Sequence, residues 1–358
     1  MKNMGNIKLL DCTLRDGGYL VNKKFGDNTI KGMIHHLVEA NVDIVEVGFL
    51  EKESGETGST VFKNSDEIKK FLPKNNSKTM FVALADYSRY DVELLKPCDG
   101  KSIDGIRICF FKHERKEAIN VCKKVKALGY KVFVQPVDIL GYSDIEILDL
   151  IKEVNEVLPY TLSIVDTFGS MYLDDLERIF YLVHHNLRDD IAIGLHSHNN
   201  MQMSFALSQR FMELCRGKRE SIIDATMCGM GRGAGNTNTE LIAQYMNRKF
   251  NKNYDIDILL DIVDIYMKSL MVKCTWGYSI PYFLAGVFSA HVNNISYLTD
   301  KATIKMRDIR HVLDNVGAEK RKRYDYEFLE EKYREYMNSI LKAPVRYDNM
   351  KRQSDMII

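Results

Sequence analysis

The sequence predicts an α/β protein whose core is a closed (β/α)₈ barrel, the TIM-barrel architecture, with a C-terminal helical extension. Short runs rich in β-branched and aromatic residues alternate with amphipathic runs that have helical spacing. Eight such pairs fit within about 250 residues, which favours a barrel over an open doubly wound sheet. No GxGxxG motif follows the first strand, so the usual dinucleotide-binding argument for a doubly wound sheet is missing, although that fold stays possible.

Each element is predicted from its local pattern, in chain order. Helix-capping residues support several helix starts, such as Ser143-Asp144 and Asp174-Asp175, and Gly129 supports one helix end. The predicted strands are 7–14, 44–49, 79–86, 105–110, 131–138, 161–167, 192–198 and 221–228. The predicted helices between and after them include 28–40, 114–128, 144–158, 174–187, 201–214 and 236–250.

The alternating pattern ends near residue 253. We therefore expect residues 1–253 to form the barrel domain and residues 254–358 to form a mainly helical extension. The basic run at 320–323 lies among Glu319, Asp325 and Glu327, which favours a solvated helix face over a nucleic-acid-binding patch.

Composition excludes several classes of function. The formal net charge of +1 over 358 residues gives no electrostatic case for nucleic acid or a membrane surface as the main partner. The seven cysteines form no CxxC pair, which favours a reduced compartment over a disulfide framework. No apolar run approaches the roughly 20 residues that span a bilayer, and no signal-peptide pattern opens the chain. We expect a cytoplasmic protein.

A histidine pair lies at the end of the seventh predicted strand. Alternate residues of a strand share a face, so His196 and His198 point to the same side. Asp16 follows the first strand, which a closed barrel separates from the seventh by one strand only. One carboxylate and two imidazoles at one mouth are typical of an open three-ligand metal site. Surface hydrogen bonding by the histidines and a turn cap by Asp16 are the structural alternatives.

Other polar residues are predicted at the same end of the barrel. Arg15 next to the metal carboxylate either forms an ion pair with Glu46 or stabilises a developing oxyanion, and the two readings are compatible. Gln135 and Thr167 end the fifth and sixth strands and are candidate substrate ligands. The glycine-rich run after the eighth strand, with Gly231 and Gly233, would let the backbone approach a ligand closely.

Four ordered motifs make the sequence similar to the DRE-TIM metallolyase (HMG-CoA lyase-like) superfamily, and within it to the 4-hydroxy-2-oxovalerate aldolase branch. The similarity covers residues 7–250, and a later LAGVFS segment at 284–289 also resembles that branch. The motifs are Leu14-Arg15-Asp16-Gly17, Val45-Glu46-Val47-Gly48, His196-Ser197-His198-Asn199 and the GxGxGAGN run from Gly229 to Asn236.

The resemblance implies a divalent metal ion (Mn²⁺, Mg²⁺ or Zn²⁺) held by Asp16, His196 and His198, with Asn236 as a further ligand. It also implies that Arg15 stabilises a pyruvate-type enolate formed when a C–C bond next to a 2-oxo acid breaks or forms. The substrates would then be a small 2-oxo acid and an aldehyde. The same resemblance implies a homo-oligomer and an aldehyde dehydrogenase as a partner.

The chain departs from the branch at the position of the general base. Tyr19 stands where the aldolases have a histidine, and Phe288 stands where they have a tyrosine. A tyrosine with the ordinary pKa near 10 is a poor base at neutral pH. Either Tyr19 is tuned by its surroundings, or His113 or His291 acts as the base.

Two other functions stay open at this point. A Claisen-type enzyme that condenses an acyl-CoA with a 2-oxo acid, like the isopropylmalate and homocitrate synthases, shares the HxHN pattern. Asn200 and Gly18-Tyr19 nevertheless differ from the residues those synthases carry. A metal-binding barrel without catalysis is the second alternative. A zinc amidohydrolase is disfavoured, because those barrels carry their HxH at the first strand.

Overall fold

The protein, described from a computed structural model, forms a closed barrel of eight parallel strands. The structure describes residues 6–74, 78–301 and 304–342. Each strand pairs with the next strand in the chain. The first strand also pairs with the last, which closes the barrel as the sequence predicts. The strands are β1 Ile7–Asp11, β2 Ile44–Leu50, β3 Met80–Asp86, β4 Gly105–Phe110, β5 Lys131–Pro136, β6 Thr161–Asp166, β7 Ala192–Ser197 and β8 Ser221–Ala225.

Helices surround the barrel and follow most strands. A two-residue strand, Val61–Phe62, pairs with β2, and a 3-10 helix, Val92–Leu94, follows β3. The α-helices are α1 Thr13–Asp16, α2 Asp27–Glu39, α3 Ser65–Ile68, α4 Arg115–Ala127, α5 Asp144–Val157, α6 Leu173–Asn186, α7 Ser204–Cys215, α8 Thr239–Phe250, α9 Ile256–Ile262, α10 Lys268–Lys273 and α11 Ile280–Val287. In the part of the chain that is described, no helix has the length and apolarity needed to cross a bilayer.

Local sequence explains where several elements begin and end. The predicted cap at Ser143 is present, since its hydroxyl accepts from the Glu146 N–H while Glu146 accepts from the Ser143 N–H. The prediction that β8 continues to residue 228 is wrong. The chain turns into a 3-10 helix, Met227–Gly229, in which Cys228 has a φ of 53°.

Side chains inside the barrel form layers along its axis. An apolar layer near the amino-terminal end comprises Leu10, Ile44, Val82, Phe133 and Ile222. Because alternate residues of a strand share a face, the residues two positions later form the next layer toward the carboxyl ends. That layer contains the buried polar side chains Glu46, Gln135 and Asp224, and Arg107 of β4. The apolar layer therefore supports a charged one.

The chain divides into two compact units, Met1–Val287 and Phe288–Ile358. Helices α9 and α10 belong to the first unit, because Leu259, Ile262 and Leu270 are buried in the same apolar core as the barrel. The predicted domain boundary at 253/254 stays a prediction, while the compact barrel unit continues to Val287. The second unit is helical as predicted where it is described, with α12 Val292–Thr299, α13 Met306–Asp314, α14 Ala318–Arg321 and α15 Tyr326–Lys342. Residues 343–358 lie outside the described residues.

Candidate active site

Three predicted metal ligands come together at the carboxyl end of the barrel. The Asp16 Oδ2 atom lies 3.7 Å from His196 Nε2 and 3.8 Å from His198 Nε2. Bonds of about 2.0–2.2 Å to one ion allow ligand atoms to lie up to roughly 4 Å apart. The two imidazole rings are nearly perpendicular, at 87°, with their centres 5.1 Å apart. The Asp16–His196–His198 cluster can thus converge on one cation.

Asn236 supplies an independent indication that a cation fits this cluster. Its Nδ2 donates to Asp16 Oδ2 at 2.6 Å and to the Met230 carbonyl at 3.3 Å. Its Oδ1 is buried and has no hydrogen-bond partner among the described residues. A buried amide oxygen without a partner is costly, and a bound ion would satisfy it. A side chain at Gly231 would overlap the Asn236 amide, which explains the glycine there.

The surroundings of the two histidines suit metal binding. His196 Nδ1 lies 3.0 Å from Asp224 Oδ2, and a carboxylate in that position orients the ring and leaves Nε2 for an ion. Burial lowers the pKa of His198 to about 3, although Asp16 opposes the shift, so its imidazole is neutral. Burial alone would raise the pKa of Asp16, but the Arg15 guanidinium holds it well below its usual range. The donor set at neutral pH is one carboxylate and a neutral His198 ring, with His196 beside them.

Arg15 forms the ion pair that its spacing predicts. Its Nε donates to Glu46 Oε2 at 2.8 Å and its Nη1 donates to Asp16 Oδ1 at 2.9 Å. The remaining Nη2 has no hydrogen-bond partner within the described ranges. Both partners fix the guanidinium next to the Asp16–His196–His198 cluster.

Two residues that sequence reasoning missed join Arg15 to His196. Arg107 Nη1 donates to the same Glu46 Oε2 at 2.9 Å, and its Nη2 donates to Asp224 Oδ2. Arg107 and Asp224 are buried in the charged layer, and Asp224 in turn contacts His196. A charged residue in the middle of an apolar strand, as in GIRICF and SIIDA, is the signal that could have identified both.

The other predicted substrate ligands have partners outside the metal cluster. Gln135 Nε2 donates to Ser163 Oγ at 2.7 Å inside the barrel. The Thr167 hydroxyl accepts from the Asp138 N–H at 2.8 Å, which connects two neighbouring loops. Gly233 has a φ of 66°, and Gly231 adjoins Asn236 as described above. Substrate binding by these four residues stays a prediction.

Tyr19 lies between two other side chains of the barrel unit. The guanidinium carbon of Arg232 lies 3.9 Å from the centre of the Tyr19 ring, and Phe49 packs against that ring edge to face at 5.2 Å. Burial raises the pKa of Tyr19, although Arg232 and Arg15 act in the opposite direction. The phenol is therefore neutral at physiological pH. Arg232 is a third residue that sequence reasoning did not select.

His291, a histidine that the sequence analysis proposes as the base, belongs to the second compact unit. Its Nδ1 accepts from the Asn293 N–H at 3.1 Å, which caps helix α12, and its ring lies 4.9 Å from that of Tyr324. In the first unit, His113 is exposed and stacks on Phe111. Neither contact assigns a general base, and the base stays a prediction.

Comparison with known proteins places this geometry in a family. The family model described as HMGL-like matches residues 6–266. A 4-hydroxy-2-oxovalerate aldolase from Pectobacterium atrosepticum is 26% identical over 327 residues, 85% of this chain and 88% of that protein. An oxaloacetate decarboxylase from Mycobacterium tuberculosis is 24% identical over 262 residues, 71% of this chain and 74% of that protein.

Among solved structures, the N-terminal domain of a Bacteroides vulgatus protein described as an aldolase is similar. It has a TM-score of 0.71 and 26% sequence identity, and the match covers 82% of this chain and 97% of that domain. The barrel, the carboxylate–imidazole cluster and the family match over most of the chain agree with one another. The chain belongs to the HMGL-like family and is a metal-dependent carbon–carbon lyase.

Proposed function

We propose that this protein is an aldolase that cleaves or forms a C–C bond next to a short 2-oxo acid through a pyruvate-type enolate. The observation that carries the proposal is the position of Arg15. Its guanidinium is fixed by Glu46 and Asp16 beside the metal cluster, and one of its nitrogens has no protein partner in the described structure. The relatives named 4-hydroxy-2-oxovalerate aldolase support the same reaction.

Asp16, His196, His198 and Asn236 would hold the divalent ion. When bound, the ion supplies Lewis-acid stabilisation of negative charge on the substrate oxygens. Carboxylate and amide oxygens suit Mg²⁺ and Mn²⁺, whereas imidazole nitrogens suit Zn²⁺. The mixed donor set is compatible with all three ions that the sequence suggested.

Arg15 would stabilise the charge that develops on the former keto oxygen. A fixed donor costs no reorganisation when that charge appears, and the loss of one such donor typically lowers kcat by about 10²–10³-fold. Glu46 and Arg107 would act as positioning residues, since they hold the Arg15 rotamer from inside the barrel. Gln135, Thr167, Gly231 and Gly233 are proposed to line the substrate.

A proton must leave the 4-hydroxyl group during cleavage. Tyr19 and His291 are the proposed bases, but the raised pKa of Tyr19 requires that bound substrate or metal lower it. Return of this proton to the enolate carbon completes the pyruvate methyl group, so no further reagent is needed. The broken C–C bond supplies the electron pair of the enolate, and the hydroxyl carbon becomes the aldehyde.

A second candidate is decarboxylation of a 2-oxo acid that carries a carboxylate on the neighbouring carbon. The Mycobacterium tuberculosis oxaloacetate decarboxylase favours it, and loss of CO₂ would leave the same enolate. A homo-oligomer and an aldehyde dehydrogenase partner are further proposals that rest on the family resemblance.

The decisive experiment is deuterium exchange at the pyruvate methyl group, followed by NMR with Mn²⁺ or Mg²⁺. We expect metal-dependent exchange in the wild type and its loss in His198→Ala, because removal of an imidazole weakens the metal site. Absence of exchange with each divalent ion would reject the enolate mechanism. Metal-dependent exchange at the methyl group of acetyl-CoA, with none at the pyruvate methyl group, would favour a Claisen condensing enzyme instead.

A further inference from the structure

We propose that Arg232 binds a second anionic group on the substrate, so that the natural aldehyde carries a carboxylate or a phosphate. This inference rests on the proposed aldolase function and specifies its substrate class. Arg232 stands in the glycine-rich loop after β8, and its guanidinium stacks on Tyr19 at the barrel mouth. Nothing in the sequence motifs required an arginine at this position.

The Arg232 side chain is a cation without a direct ion pair, although the Asp16 carboxylate lies within range of its charge. Apart from the contact with the Tyr19 ring, no hydrogen bond or ion pair of its guanidinium is present among residues 6–74, 78–301 and 304–342. Other cations near the mouth are paired, since Lys23 pairs with Glu51 and Arg89 pairs with Asp86. A guanidinium presents a planar set of donors that matches a carboxylate or a phosphate.

The loop holds Arg232 in a defined place. The Arg232 carbonyl accepts from the Gly235 N–H at 3.0 Å, and the Asn236 N–H donates to the Gly229 carbonyl at 3.0 Å. Gly235 has a φ of 82°, and a side chain there would overlap the Gly229 carbonyl. Tyr19 adds a cation–π contact from below. The guanidinium is therefore positioned before substrate binds, which reduces the entropy cost of binding.

The charges around the site agree with this role. The carboxylates of Asp16, Glu46 and Asp224 offset the guanidinium groups of Arg15, Arg107 and Arg232. A divalent ion would then add two positive charges, and the resulting positive potential favours anionic groups on the substrates.

The reaction balances without a further reagent. In the condensation direction a base takes a proton from the pyruvate methyl group, and the enolate carbon forms a bond to the aldehyde carbon. The electron pair of the aldehyde C=O moves to oxygen, which takes up a proton and becomes the 4-hydroxyl. The carboxylate or phosphate at the far end of the aldehyde stays intact and only binds.

Aldehydes matched in carbon skeleton test this proposal. Butanal and 4-oxobutanoate differ by a terminal carboxylate, and glyceraldehyde and its 3-phosphate differ by a phosphate. We expect the wild type, with pyruvate and Mn²⁺, to show a higher kcat/KM for the anionic member of at least one pair. In Arg232→Gln that preference should fall by about 10- to 100-fold, the typical value of a charge-assisted hydrogen bond.

Two further variants make the result specific. Arg232→Lys keeps the charge and should retain part of the preference. Lys23→Gln removes a paired cation that lies 4.5 Å from the Phe49 ring, and it should keep the wild-type preference. The aldehyde pair whose anionic preference falls in Arg232→Gln shows whether Arg232 binds a carboxylate or a phosphate.

The outcomes separate this inference from the proposed function. Pyruvate deuterium exchange in the wild type tests the enolate chemistry without an aldehyde. Two results would overturn the role of Arg232 alone, provided that pyruvate exchange occurs. The wild type shows no preference for anionic aldehydes, or Arg232→Gln shows the same preference as the wild type. Absence of exchange would remove the aldolase function and this inference with it.

Discussion

Tyr19 combines two properties that substitutions can separate. Its ring supports the Arg232 guanidinium, and its hydroxyl is one of the proposed bases. Burial raises the pKa of the phenol, so the hydroxyl keeps its proton near neutral pH. The ring contact explains an aromatic residue at this position without any role in proton transfer.

The first prediction concerns this residue. Tyr19→Phe keeps the ring and tests which of the two proposed bases acts. Because the raised pKa leaves the Tyr19 phenol protonated, we expect kcat for pyruvate–aldehyde condensation to fall less than about tenfold. Tyr19→Leu removes the ring and should also reduce the preference for anionic aldehydes. Steady-state kinetics with the matched aldehydes measure both effects. A loss of about 10²–10⁴-fold in Tyr19→Phe would instead identify the hydroxyl as the base.

The second prediction concerns Asn236. Its unpartnered Oδ1 and its bond to Asp16 indicate that Asn236→Ala weakens Mn²⁺ binding by about tenfold or more. Isothermal titration calorimetry measures this affinity without any substrate. Asn238→Ala is the matched control, because its amide donates to Glu240 and not to Asp16. Equal affinities in the two variants would exclude Asn236 from the metal site.

Sequence reasoning identified the residues whose position follows from strand ends. Asp16, His196 and His198 lie at or just beyond the carboxyl ends of β1 and β7, and the structure brings them together. Arg107 and Asp224 were not predicted as site residues, because their role depends on ion pairs with side chains on other strands of the barrel. Strand periodicity gives the face of a residue but not its partner on a distant strand.

At the scale of elements, three strands place charges in one buried layer. Arg107 on β4 contacts Glu46 on β2 and Asp224 on β8, and all three are buried. Asp224 then contacts His196 on β7. The layer connects Arg15 to His196 through the barrel interior.

The third prediction tests that layer. Arg107→Met leaves two buried carboxylates without their shared partner, and the free energy of unfolding should fall by about 3–5 kcal/mol. Arg178→Met removes an exposed pair with Asp144, and its cost should be below about 1 kcal/mol. Urea denaturation of the two variants measures the difference. Similar small losses in both would show that the buried layer contributes no more than a surface pair.

Element boundaries were predicted well where capping residues are local and poorly where the backbone is unusual. Ser143 and Glu146 form a capping box within one turn, so the start of α5 follows from the sequence. The end of β8 depends on the positive φ of Cys228, whose carbonyl accepts from Trp276 Nε1 at 2.8 Å. Trp276 is distant in sequence, and no local pattern reveals that contact.

At the scale of the whole molecule, Asp11 makes stability depend on pH. Burial raises its pKa from 3.8 to about 6, despite hydrogen bonds from Thr239 and Thr13 that lower it. The folded state then binds the Asp11 proton more tightly than the unfolded chain. The contribution to the free energy of unfolding is therefore greatest below about pH 4 and is lost as the pH rises through 6.

The fourth prediction follows from that sign. Measured relative to Asp11→Asn, the free energy of unfolding of the wild type should decrease by on the order of 3 kcal/mol between pH 4 and pH 7. Denaturation curves at several pH values measure it, and Asp174→Asn, on the exposed first turn of α6, is the control. Other titrating groups act on both proteins and cancel. A difference independent of pH would contradict the prediction.

The barrel itself was predictable because the sequence alternates eight times between strand-like and helix-like patterns. The extent of the compact barrel unit was not. Leu259, Ile262 and Leu270 have helical spacing, but the sequence does not show against which surface that face packs. Packing against the barrel core extends the unit to Val287.

The buried layer also constrains how this sequence can diverge. Arg15, Glu46, Arg107 and Asp224 alternate in sign, so each charge touches neighbours of the opposite sign. Reversal of one charge creates repulsion with both neighbours, while a compensating second change restores a neutral pair. Substitutions at these positions are therefore epistatic, and the interior of the barrel can change its charges only through coordinated replacements.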